Sequence, residues 1–153
     1  TREHLMKLIT IFIALLLSGL TYAGHHGETS VEAFVKDYFE KFNSTSLEAS
    51  PEQSFTFPAV FINDGIVRVI PDSSVKVVDY EIIKASGWAY SKILKTTVLY
   101  EGPNSAVVQV HFNRHKADDS VLSSSQAFYT LVMQESDWKL VGASIPGGIT
   151  LVE

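Results

Sequence analysis

Thr29-Ser30-Val31-Glu32-Ala33-Phe34-Val35-Lys36-Asp37-Tyr38-Phe39-Glu40-Lys41-Phe42-Asn43 is the stretch on which the fold turns. Val31, Phe34, Val35, Tyr38, Phe39 and Phe42 recur at i, i+3, i+4, i+7, i+8 and i+11, one broad apolar stripe of a helix. Glu32, Lys36, Asp37, Glu40 and Lys41 fall on the opposite side. Thr29 and Glu32 stand at capping-box spacing, which places the helix start beside them. Asn43-Ser44-Thr45-Ser46 ends it. A stripe carrying four aromatic rings needs a large apolar surface to lie against.

That surface is supplied further along the chain. Residues 55–62 and 66–70 are β-branched and aromatic runs around Asn63-Asp64-Gly65, a strong hairpin turn. Pro58 lacks an N–H, so the first run is expected at a sheet edge or at a bulge. After the turn residues Pro71-Asp72-Ser73-Ser74, the spacing of Val75, Val78, Ile82 and Ala85 predicts a second helix stopped by Gly87. Beyond Trp88 the period changes to two. Strands are predicted near 91–100, 105–112, 124–133 and 138–145, joined by two tight turns and a longer polar connection over 113–120. The order is helix, hairpin, helix and antiparallel meander, with no repeat and no linker. The expected architecture is α+β: one domain over 30–153, with an antiparallel sheet curled around the first helix as a cone.

The chain of 153 residues is 46% hydrophobic and 11% aromatic, enough for a substantial core. Met6-Lys7, the apolar run 8–17 and the small residues of Thr21-Tyr22-Ala23 follow the three-part pattern of a secretory signal. The run is shorter than the roughly 20 residues of a membrane span. Residues 1–23 are therefore expected to be upstream residues and a cleavable signal peptide, followed by a mobile tail over 24–29. The expected location is periplasmic or extracellular, with no membrane association after cleavage. Taking Arg2, Glu3 and Lys7 away from 12 basic and 17 acidic residues leaves a net charge of −6. With no basic cluster, nucleic acid is not an expected partner. The absence of cysteine excludes disulfides, thiolate zinc sites and a cysteine nucleophile. Cleavage after Ala23 would expose Gly24-His25-His26, whose amine, amides and His26 imidazole can wrap Cu(II) or Ni(II) in a plane; a polar tail is the plainer reading.

The pieces Phe34 to Asn43, Phe57-Pro58-Ala59-Val60-Phe61 and Ser136-Asp137-Trp138-Lys139-Leu140-Val141 resemble the nuclear transport factor 2-like superfamily, over essentially all of 30–146. The resemblance implies a long helix in the concave face of a strongly curled sheet. The superfamily includes ketosteroid isomerases, polyketide cyclases, dehydratases and partner-binding transport factors. In the isomerase branch a first-helix tyrosine donates to the developing enolate oxygen, and Tyr38 matches it. The general base is an aspartate just before a proline, and here that place holds Phe57. A second donor falls near Tyr129. A phenyl ring takes no proton, and general-base catalysis alone contributes about 10²–10⁴-fold.

The candidate ligand-binding residues are thus Tyr38, Phe57, Trp88, Arg114 and Tyr129. Arg114 follows Val108, Val110 and Phe112 on the expected inner face, where a guanidinium could hold a carboxylate or phosphate. His111 and His115 share the other strand face about 13 Å apart, too far for one metal at about 3.3 Å per residue. Asp64 belongs to turn chemistry, and Asp118-Asp119 to a polar loop. No glycine-rich phosphate loop or nucleophile elbow occurs, and no cofactor is expected. The leading expectation is an exported domain that binds a small, partly apolar ligand in the cone without catalysis, or forms a homodimer through the outer sheet face. The alternatives are a carbonyl or polyketide-type isomerase, cyclase or dehydratase using Tyr38 and Tyr129 with His111 as base, and a protein-interaction module.

Overall fold

The computed structural model describes residues 29–146. The expected signal peptide, the Gly24-His25-His26 motif and the last seven positions of the expected domain lie outside the described residues. Helix α1 spans Val31–Asn43. Ser30, not Thr29, is its N-cap: the Ser30 Oγ accepts the Ala33 N–H at 3.1 Å, while the Ser30 backbone is still extended. Two 3₁₀ turns, Ser46–Glu48 and Pro51–Gln53, lead to strands β1 (Phe55–Asn63) and β2 (Ile66–Ile70). Helix α2 covers only Tyr80–Ala85. It starts later than the apolar spacing predicts because the Asp79 carboxylate accepts the N–H groups of Glu81 and Ile82 at 3.0 and 3.2 Å and caps the helix there. Gly87, at φ 91°, turns the chain out of it.

Strands β3 (Tyr90–Glu101), β4 (Ser105–His115), β5 (Val121–Gln134) and β6 (Asp137–Ile145) form the meander. All six strands make one sheet in the order β2-β1-β6-β5-β4-β3. The expectation of an antiparallel sheet throughout is corrected at one place, since β1 and β6 run parallel, with Phe61 opposite Ala143. Every other neighbouring pair is antiparallel. The cause is topological: after β2 the chain crosses by α2 to the far edge and then winds back, so its final strand arrives beside β1 pointing the same way. Strand periodicity carries no information about that meeting.

Pro58 therefore lies in an interior strand, not at the edge. A register shift between Phe55 and Val60 bulges β1 away from β6, and Pro58 sits exposed within that interval, so its missing N–H breaks no ladder. Gly142 opposes Val60 at the resumed register, where a Cβ would come within 2.9 Å of the Val60 carbonyl oxygen.

One face of α1 reaches three strands. The Tyr38 ring lies 5.9 Å from Phe55 on β1 and 5.6 Å from Tyr129 on β5, and Phe39 lies 5.3 Å from Phe112 on β4. Contact with both halves of the sheet requires the sheet to bend around the helix. Each of the six buried side chains of α1 contributes about 1.5–3 kcal/mol by leaving water. The exposed pairs Lys36–Glu40 and Lys41–Asp37 add only about 0.3–0.5 kcal/mol each. Packing, not surface charge, holds the helix. Its C-terminal end is hooked to β3 by Asn43, whose amide nitrogen donates to the Ser91 carbonyl at 2.9 Å while its oxygen accepts the Ser91 N–H at 2.8 Å.

Candidate functional site

Burial alternates along β4, with Val108, Val110, Phe112 and Arg114 inside and Gln109, His111, Asn113 and His115 on the outer face. That alternation delivers Arg114 to the hollow between α1 and the sheet. There a cavity of about 30 Å³ is lined by Tyr38, Phe39, Ser91, Phe112, Arg114 and Tyr129, among others. The Tyr38 and Tyr129 rings meet edge to face. Burial pushes both phenols well above their ordinary range, and for Tyr129 the neighbouring Tyr38 adds to the rise while Arg114 opposes it, so both stay protonated and able to donate at neutral pH.

Arg114 is buried, at 7% exposure. Neither its Nε nor its Nη2 has a hydrogen-bond partner among the described residues. Desolvation lowers its pKa from the usual guanidinium value, partly opposed by Tyr129. Ser91 pairs with Arg114 across β3 and β4. Its Oγ accepts the Trp88 indole N–H at 2.9 Å, which leaves the hydroxyl proton available to the cavity.

Of the residues picked out from sequence, the cavity brings together Tyr38, Arg114 and Tyr129. Trp88 stands behind Ser91 and packs 5.4 Å from Phe42. Phe57 is half-buried, 6.3 Å from Phe55, and leans on the core outside the lining. His111 projects from the opposite face of β4, so its assignment as a base inside the cone is corrected: position 111 alternates with 112 and 114. None of the lining residues is Asp, Glu or His. The site can donate hydrogen bonds and present positive charge, but it offers no group to accept a proton near neutral pH.

Two hollows lie elsewhere, and both are larger. One of about 220 Å³ lies between Leu47, Pro51 and Val75 to Val78, and an open groove of about 430 Å³ runs beside Asp37, Lys41 and Trp138. Size is outweighed by chemistry, because neither is lined by a buried polar atom lacking a partner. On the outer side, Tyr90 stacks on His115 at 4.7 Å and donates to the Asp119 carboxylate at 2.9 Å, pinning the loop after β4. Among the described residues no group of three His, Asp or Glu could hold a metal ion.

Sequence reasoning missed Ser91 and Asn43. A serine at a strand start and an asparagine at a helix end are ordinary there; Ser91 enters the lining opposite Arg114, and Asn43 holds the Ser91 backbone from the end of α1.

Similar structures share this architecture. A candidate ketosteroid isomerase from Shewanella frigidimarina aligns with TM-score 0.55 at 13% identity, over 78% of this chain and 97% of that one. A protein of unknown function from Mycobacterium tuberculosis aligns with TM-score 0.58 at 16% identity, over 78% and 70%. An NTF2-like protein with a cystatin-like fold from Novosphingobium aromaticivorans gives TM-score 0.54 at 15% identity, over 74% and 76%. Such identities speak for the fold alone. Among curated protein sequences none is similar enough to match. The family profile described as NTF2-like protein (DUF6841) matches residues 27–146, and the chain belongs to that family.

Proposed function

We propose that the domain binds a small ligand, partly apolar, in the hollow between α1 and the sheet, and does so without chemistry on it. The observation that carries this reading is the lining itself: aromatic walls, neutral phenol donors, one arginine and no proton acceptor. The space of about 30 Å³ is far below the roughly 300 Å³ of a site for a drug-sized molecule, so the ligand has few heavy atoms. An isomerase of the kind named for the Shewanella structure would need a base that Phe57 and the lining do not supply. The test is a titration with small uncharged and charged fragments followed by NMR of methyl and aromatic groups. Saturable shifts should cluster at Phe39, Phe112 and Ile145. Shifts confined to the hollow at Leu47 and Val75 would overturn the assignment. We place the domain outside the cytosol on the strength of residues 8–23, which the mass of the exported chain would check through cleavage after Ala23.

A second reading, pairing with another copy of the chain, rests on the outer face of the hairpin. Val60 opposes Val69 and Ile62 opposes Val67, and these four side chains are 39%, 57%, 40% and 62% exposed. Two adjacent cross-strand apolar pairs make a continuous patch beside the edge strand, which suits a self-complementary contact.

A further inference from the structure

We infer that the ligand of the cone is a small monocarboxylate, clamped by Arg114; this rests on the cone being the binding site. The two nitrogens of Arg114 that lack partners, Nε and Nη2, lie on one edge of the guanidinium and point their N–H bonds the same way. That edge is a fork matched to the two oxygens of a carboxylate. Its emptiness is unusual, because a buried cation without a partner destabilises a fold, and the lining contains no carboxylate of the protein's own to neutralise it. An incoming anion would do so.

The lining also selects among anions. Arg114 is its only cationic side chain, which suits a single negative charge better than the near-double charge of phosphate at neutral pH. Phe39, Phe112 and Ile145 would surround a short hydrocarbon stem. The neutral Tyr129 phenol and the Ser91 hydroxyl add donors to the same oxygens without adding charge. Because a guanidinium stays protonated throughout the accessible range, binding should follow the ionisation of the ligand, not of the protein.

The experiment uses the mature chain in chloride-free buffer and four probes: butyrate, butyramide, inorganic phosphate and the uncharged n-butanol. Calorimetry gives affinities, and the ¹⁵N signal of the Arg114 Nε–H reports the contact. Butyrate should bind at least tenfold more tightly than butyramide and move that signal. Arg114→Met should abolish the preference, and Arg114→Lys should keep part of it, since the charge remains and the fork is lost. Both variants are expected to fold, Arg114→Met with a raised melting temperature because it removes the unpaired charge; wild-type-like circular dichroism checks this. Equal affinity for butyrate and butyramide, unchanged in Arg114→Met, would overturn the inference and leave cone binding standing. Tighter binding of phosphate than of butyrate would also overturn it. If no probe, charged or uncharged, perturbs the cone, the inference and the underlying reading fall together.

Discussion

Two phenols sit ring to ring in a cavity that a buried guanidinium also lines, and burial governs their protonation. Tyr38, Tyr80 and Tyr129 are all buried, and burial raises all three above the ordinary tyrosine value of about 10. A group whose pKa is higher in the folded state contributes stability that is intact below its unfolded pKa and lost as pH rises through the folded one. The protein should therefore lose stability progressively above about pH 10. Absorbance near 295 nm should show these three phenolates emerging together with the collapse of the circular dichroism signal. Independent ionisation of all three while the fold persists would contradict the burial described above. At this scale helix and strand periods placed Tyr38 and Arg114 on their faces, and the superfamily resemblance pointed to Tyr129. It could not tell whether Arg114 had a partner. That depends on which side chains the sheet's curvature brings across the cone, and a one-dimensional pattern does not contain curvature.

The elements show where local signals suffice and where they compete. Six apolar positions at helical spacing define α1 without ambiguity, and the two-residue period of β4 predicts its inner and outer faces. The helix start is subtler, because Thr29 and Ser30 are both good caps and only one can precede the first helical residue. Ser30→Ala should cost about 0.5–2 kcal/mol in urea unfolding, whereas Thr29→Ala should stay within about 0.5 kcal/mol of wild type. The reverse ranking would restore the capping-box assignment. The second helix is a related case. Val75 and Val78 have helical spacing with Ile82, yet they pack on the core from irregular backbone, because Asp79 is the stronger local signal and starts the helix at Tyr80, five residues after Val75. A spacing match across a capping residue is weak evidence of one continuous element.

At the scale of the whole molecule, the sheet has a filled inner face and a partly greasy outer one. If the Val60, Ile62, Val67 and Val69 patch pairs with a second copy, sedimentation velocity should show a dimer that dissociates on dilution. Val69→Lys should then shift the equilibrium toward monomer by at least tenfold without altering the circular dichroism spectrum. A monomer at every concentration would remove the self-association reading and leave the cone untouched. The architecture as a class was readable from element order and the superfamily resemblance. The parallel seam was not, because it is decided by where a returning chain lands.

That seam has a bearing on how the polypeptide comes to be assembled. Val60 meets Gly142 roughly 80 residues downstream, so the hairpin leaving a ribosome or an export channel must wait for nearly all the remaining chain before its neighbour exists. Until then its Ile, Val and Phe side chains and one whole line of amide and carbonyl groups are unaccompanied, the condition in which strands find the wrong company. The final strand thus works as a keystone: a product cut short before Asp137 would keep its helix and its meander strands but leave the first hairpin outside the sheet, with only its packing on α1 to hold it.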